Sequence, residues 1–378
     1  MGFLVKGICT VIGVLFFSIS INAQESETTD TSGVNVIIEK VMDVITIERE
    51  KYSVTFFPTM TYSDEAGLAL GAFAAIILNE DEPVSESKYY RPTTLVPSIS
   101  YSTKGFLLIE SDLLRYTKSN WFIGSKFIIY KMPQFFYGIG EPNQGIAKFD
   151  QDTYAVFGTF LKSINDSFFI GPSYDIGSVK NTNIVGDQLN SSITGYEGGV
   201  HAGLGLAARI DTRDDILYPS KGVLVSISSM QYTFDYNFNL TKFDFRIFRK
   251  IRNNKNIVAF QALWQINSGD APFYKLPKLG GQNLLRSIDN SNKYINKQTY
   301  LLQGEYRRGF GGRFGAVVFS GFGNSLSGWD DPYFDDVVYM YGLGFRFRLL
   351  KKDKLNFRLD YGLGNGGPAI FMTIREAF

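Results

Sequence analysis

The chain has 378 residues, 38 basic and 37 acidic, so a formal charge of +1 gives no electrostatic ground for nucleic-acid binding. Its single cysteine, Cys9, excludes an internal disulfide, and no Cys/His cluster has metal-ligand spacing. Hydrophobic residues make up an ordinary 44%, yet 15% are aromatic and 38 are glycine, a pairing that suits all-β barrels with aromatic girdles and tight turns.

Residues 1–23 read as a secretory signal peptide. Lys6 supplies the positive start, Gly7 to Ile21 is an almost unbroken apolar run, and Ile21-Asn22-Ala23 leads to a small residue before Gln24. The run of about 15 apolar residues falls short of the roughly 20 that a membrane-spanning helix needs. Residues 24–51 form a short segment, polar from Gln24 to Gly33 and apolar from Val34 to Ile47, where a short helix is expected. The segment is too short for an independent soluble domain.

From Tyr52 onward, apolar and polar residues alternate between turn signals. Sixteen strands are expected, at 52–62, 66–78, 92–103, 105–116, 120–133, 152–163, 167–178, 198–212, 222–235, 240–252, 256–267, 297–309, 312–323, 337–349, 354–364 and 368–378. About ten residues per strand is the length a tilted strand needs to cross a bilayer. A period of two puts Leu204, Leu206 and Ile210 on one face of the eighth strand, and Gly203, Gly205, Arg209 and Asp211 on the other. In the last hairpins Tyr339, Tyr341 and Leu343 suit lipid, whereas Arg346, Arg358 and Asp360 suit a polar interior. A soluble sandwich would have a polar outer face throughout. Here apolar faces end in Tyr, Phe or Trp, as a membrane belt requires.

The fold class is therefore all-β, a transmembrane antiparallel β-barrel of sixteen strands over 52–378. After export, it would lie in the outer membrane. An even strand count puts both chain ends on one side, the periplasm. The longer connections, 79–91, 134–151, 179–197, 268–296 and 324–336, are then expected on the outer side. The shorter ones, near 117–119, 164–166, 213–221, 253–255 and 350–353, are expected on the periplasmic side.

Several motifs resemble one family. RIDTRDDILYPSKG, from Arg209 to Gly222, matches the R-x-D-x-R-D…P-x-x-G turn of the BamA/TamA outer-membrane assembly superfamily, the bacterial surface antigen family, at Arg209, Asp211, Arg213, Asp214, Pro219 and Gly222. The family also has a loop that folds into the barrel and ends in an arginine tip. Here KLPKLGGQNLLRSIDNSN, between strands eleven and twelve, offers Gly280, Gly281, Leu285 and Arg286 at that place, with Ser287 and Ile288 standing for the family's glycine and aromatic. A buried guanidinium needs carboxylates, and Glu305 and Asp360 are the candidates. The family's F-x-D-x-G strand occurs as Phe319-Ser320-Gly321-Phe322-Gly323, without the aspartate. Weaker matches are Pro58 with Tyr62 to Gly71, and Phe136-Tyr137-Gly138-Ile139-Gly140. Phe378, in register with Ile370, Met372 and Ile374 on a lipid face, resembles the C-terminal β-signal of outer-membrane proteins. The chain would be a short member, without the family's periplasmic POTRA domains.

The resemblance implies assisted insertion or translocation of proteins, or lipids, through a weak seam between the first and last strands. The implied partners are outer-membrane lipids, client proteins and separate periplasmic subunits. The alternative is a passive pore gated by the Arg286 loop. An enzyme is not expected. His201, the only histidine, has no serine or carboxylate partner at readable spacing, and no motif calls for a metal or cofactor. Asp330, Asp331, Asp335 and Asp336 read as a solvated loop.

Overall fold

The computed structural model describes residues 45–63, 67–78, 89–117, 119–140, 142, 145–251, 256–350 and 354–378. The expected signal peptide, Cys9 and most of the 24–51 segment lie outside these residues. The chain divides into two units, Met1–Ile47 and Glu48–Phe378. Of the stretch expected to be helical, the described end enters a three-residue strand, Thr46–Glu48. Alternating Thr46, Ile47 and Glu48 favour extended backbone over a helix.

The sixteen long strands follow in order: β1 (Tyr52–Ser63), β2 (Gly67–Leu78), β3 (Thr93–Ser102), β4 (Leu107–Tyr116), β5 (Trp121–Phe136), β6 (Ala147–Ser163), β7 (Phe168–Val185), β8 (Gly198–Asp211), β9 (Gly222–Phe234), β10 (Phe238–Ile251), β11 (Asn256–Gly269), β12 (Gln298–Gly311), β13 (Phe314–Leu326), β14 (Val338–Leu350), β15 (Leu355–Gly364) and β16 (Ala369–Ile374). Each pairs with its sequence neighbours, and β16 is also hydrogen-bonded to β1, so the neighbour relation runs round in a ring. Among the described residues no helix is long and apolar enough to cross a membrane. The barrel does so with strands, and closing the sheet leaves no unpaired edge for hydrocarbon to meet.

Alternation decides what the two faces carry. Leu204, Leu206 and Leu343 are 68, 67 and 65% exposed on the outer wall. One residue along from such positions, Asp211, Arg346, Arg358 and Asp360 point inward and are buried. The interior is packed: the connection between β11 and β12 lies inside the ring, as do the β8–β9 turn and residues 375–378.

Three expectations need correction. β6 begins at Ala147 and β7 runs on to Val185, beyond the expected limits, with inward Phe149 packed on Phe273 and Val179 buried. The last strand stops at Ile374, where Arg375 adopts a φ of 67° and breaks the ladder. Phe378 is therefore not on the lipid face. It is 3% exposed, and its ring lies tilted against Phe248, 6.4 Å between centroids, inside the barrel. Finally, the 79–91 connection is expected, from its length, among the outer-side loops. Its residues 79–88 lie outside the described set, but Tyr90 bridges Asp215 and donates its N–H to Asp214 at 2.8 Å. It therefore shares an end with the β8–β9 turn. Strand parity in an antiparallel ring assigns a connection to an end, and length does not.

Placing a cation on the outer wall tests this orientation. Leu204→Arg is expected to destabilise the barrel by about 2–4 kcal/mol in lipid vesicles. Urea titration of refolded protein measures this, and an unchanged free energy would put Leu204 away from hydrocarbon.

Candidate functional site

The connection between β11 and β12 leaves the wall at Gly269 (φ 91°) and forms one 3-10 turn, Phe273–Lys275. Phe273 is buried among Phe136, Phe149 and Ile295, so an aromatic cluster seats the descending arm. Lys275 then meets Asp175 of β7 at 2.7 Å. The same carboxylate accepts from the Tyr232 hydroxyl at 2.8 Å and lies 3.4 Å from His201. The sequence offered His201 no readable carboxylate; strand pairing of β7 with β8 supplies one. Its place, with no exposed surface and beside the arm's lysine, is that of a wall residue that helps hold the loop.

At the inner turn Leu279 and Leu285 close on one another: Leu285 N–H donates to the Leu279 carbonyl at 3.1 Å, and Gly280 bridges Leu285. Leu279, Leu285 and Ile288 have no exposed surface and pack on Leu301, Phe319 and Met340. Gly281 has a φ of 133°, which an L side chain rarely adopts. Ile288, standing where the family has an aromatic, lies over Gly280, whose missing Cβ gives it room.

This turn delivers Arg286 to the wall with no solvent exposure. Its Nη1 lies 2.7 Å from Glu305 Oε1 of β12 and 2.7 Å from Asp360 Oδ2 of β15. Its guanidinium carbon stands 3.7 Å over the ring of Phe319 on β13. That strand lacks the family's aspartate and provides an aromatic face, while Asp360 provides the carboxylate. The network continues along the wall. Arg307 holds Glu305 at 2.7 Å, and Arg346 reaches both Asp360, at 2.5 Å, and Glu376, at 2.8 Å. Arg358 donates to the loop itself, at 2.9 Å to the Gln282 carbonyl and 2.8 Å to Asn283. Charges this deeply buried are tolerable only because each has an opposite partner.

The tail belongs to the same network. Glu376 also accepts from Asn356 at 2.8 Å, and Arg307 donates to the Phe378 carbonyl at 3.0 Å while lying 5.6 Å over its ring. Arg375 reaches across the interior to Asp112 of β4 at 2.8 Å and Thr94 of β3 at 2.7 Å. Nothing in the sequence marks Lys275 and Glu376 as members of this network, whereas the period-two run Gln303, Glu305, Arg307 puts opposite charges on one inward face.

The turn Arg209 to Gly222 caps the end of the barrel where the tail lies. Arg213 grips Asp211 through two bonds of 2.8 and 2.7 Å. Asp214 accepts the Ser220 and Lys221 N–H groups at 2.9 and 3.0 Å and the Ser220 hydroxyl. Burial opposes its ionisation, but these donors prevail and hold its carboxyl below the usual range. Gly222 takes a φ of 107° against the Thr212 carbonyl. Pro219 offers its carbonyl toward Arg307 at 3.5 Å, so the turn touches the wall network, and Leu217 packs on Ile77, Leu349 and Leu355. Arg209 forms no ion pair in this turn, though it lies within electrostatic range of Asp211, and its guanidinium lies over the ring of Phe122 at 4.5 Å.

Comparison with solved structures places this architecture. BamA from Haemophilus ducreyi lacking POTRA domains 1-3 superposes with a TM-score of 0.53 at 13% identity, over 86% of this chain and 70% of that one. CdiB from Escherichia coli gives 0.56 at 10% identity over 87 and 63%, and CdiB from Acinetobacter baumannii 0.51 at 10% over 86 and 60%. The chain thus spans less than two thirds of both CdiB chains. No family model and no curated protein matches the sequence. The fold is that of the BamA-type barrel.

Removing the tip cation tests the network. Arg286→Ala leaves Glu305 and Asp360 short of a partner, and breaking a buried pair costs about 3–5 kcal/mol. Lower folded yield and a raised conductance in planar bilayers are expected; wild-type values in both would make Arg286 dispensable. Gly362→Ala should act without touching a charge. A Cβ there collides with the Arg286 carbonyl, so the tip must leave its seat. Faster proteolysis within 270–297 reads that displacement.

Proposed function

We propose that this chain is an outer-membrane barrel of the BamA/TamA assembly type, which assists the insertion or translocation of proteins or lipids. The observation that carries the proposal is the contrast between a filled interior and a short closing strand. Loop, turn and tail occupy the lumen, whereas β16 has six residues, the fewest of the sixteen long strands. Its partner β1 contains Pro58, which has no N–H to give. With β16 limited to six residues and one residue of β1 lacking an N–H, this closure has few hydrogen bonds to break on a path to the bilayer. Likeness to the BamA and CdiB barrels supports the reading at the level of fold.

Residues 1–23 serve as the export signal in this proposal, residues 24–51 form a short periplasmic segment, and both ends of the barrel chain face the periplasm. Outer-membrane lipids, client proteins and separate periplasmic subunits are the partners. Phe378 is the terminal recognition residue for the chain's own assembly, exposed before folding and buried afterwards. The second reading, a pore gated by the Arg286 loop, is favoured by the same filled lumen, since withdrawing one loop would open it.

Disulfides across the closing seam separate the two. Cysteines at Thr59 and Thr373, with pairs at neighbouring registers, should lock β1 to β16 when oxidised. Depleting the wild-type protein is expected to lower the levels of other outer-membrane proteins, and the oxidised variant should fail to restore them. Full rescue by completely cross-linked protein would exclude lateral opening and leave the pore.

A further inference from the structure

Between the loop tip and the capped end, the interior keeps a chamber of about 340 Å³. Residues of β8 to β11 form one side of it; Asn283 and Leu284 come from the loop, Pro219 from the turn and Phe378 from the tail. Five cations face it, Arg209, Arg213, Lys242, Arg246 and Arg375, against two carboxylates, Asp244 and Glu376.

Three of those cations are answered. Arg213 pairs with Asp211 at 2.7 Å, Arg246 with Asp244 at 2.6 Å and Arg375 with Asp112 at 2.8 Å. Glu376 is taken by Arg346 at 2.8 Å, and Asp244 is further held by Gln261 at 2.8 Å. Arg209 and Lys242 remain. Among the described residues neither forms an ion pair, although Asp211 lies within electrostatic range of Arg209 and Asp244 within range of Lys242, and the Arg209 Nε is shut from solvent without an acceptor. Lys242, on the wall of the same chamber, is exposed to its free space. Two positive charges in a confined, largely protein-walled space focus a field that favours an anion over water.

We propose that this chamber binds an oxyanion of the phosphate class, with Arg209 and Lys242 as its cationic ligands. A guanidinium presents a planar fork that matches two phosphate oxygens, and an ammonium supplies a compact third donor. The volume suits a phosphate with a few waters or a small polar substituent, and leaves no room for acyl chains. The phosphate can come free in solution or from a lipid headgroup. The inference needs only the folded barrel and is independent of the assembly role.

The test is a phosphorus NMR titration of the purified barrel in a zwitterionic, phosphate-free detergent. Inorganic phosphate is varied at constant ionic strength set with sodium chloride, and glycerophosphoglycerol is added as a competitor. Saturable binding of inorganic phosphate is expected. Lys242→Gln, which changes a side chain facing free space, should weaken it about tenfold, and Lys242→Arg should keep it within about threefold. The double variant Arg209→Gln/Lys242→Gln should lose saturation altogether. Displacement by glycerophosphoglycerol at lower concentration identifies a headgroup site; failure to displace identifies a free-anion site. Absence of saturable binding in the wild type, or wild-type binding by Lys242→Gln, overturns the proposal.

Discussion

Backbone polar groups in hydrocarbon have no water to turn to, and this constraint determines everything else about the barrel. A sheet that crosses a bilayer must pair its first strand with its last, so β16 has to find β1 across the whole length of the chain. Closure then sorts every side chain. Leu204, Leu206 and Leu343 meet lipid, and the residues between them are forced into a space that lipid cannot enter. Charges such as Asp211 and Asp360 are inside because alternation leaves them nowhere else to go.

A ring of this size encloses more volume than strand side chains fill, and the chain fills it with its own connections. Each insertion is held by a different force. Aromatic packing on Phe273 seats the arm of the loop, the Lys275–Asp175 pair fixes its descent, and Arg286 between Glu305 and Asp360 fixes its tip. The turn is braced internally by Asp211 and Asp214, and the tail by Glu376. Because the guanidiniums of Arg307 and Arg346 each contact two of these parts, tip, wall and tail form one electrostatic unit. Moving one part exposes charges in the others, which makes the filled state resistant to partial opening.

The tail has a further geometric consequence. Arg375 follows β16, yet its ion pair lies on β4 and its hydrogen bond on β3. The link passes inside β1 and β2 and so spans the closing seam without using ladder hydrogen bonds. A seam with a short strand is thus reinforced by a single side chain from within. A side chain can release far more readily than a ladder of backbone bonds.

Local pattern in the chain was enough for the strands and their faces. A period of two needs only neighbouring residues, and turn residues such as the run from Pro219 to Gly222 mark where it stops, so the barrel and the inward set with Arg346, Arg358 and Asp360 could be read directly. The resemblance of the loop points Arg286 to Glu305 and Asp360 because alternation puts both carboxylates on the inward face. Partners across strands were not readable. His201 and Asp175 meet through pairing register, and Arg375 and Asp112 meet only once the ring is shut. The inward turn of Phe378 is not legible in the sequence, because alternation carries on to the last residue, while the positive φ at Arg375 and the pull of Arg307 turn the chain inward. Pattern along a strand is a one-residue property. Which charges end up unanswered in a chamber depends on every strand around it, and only the closed structure decides that.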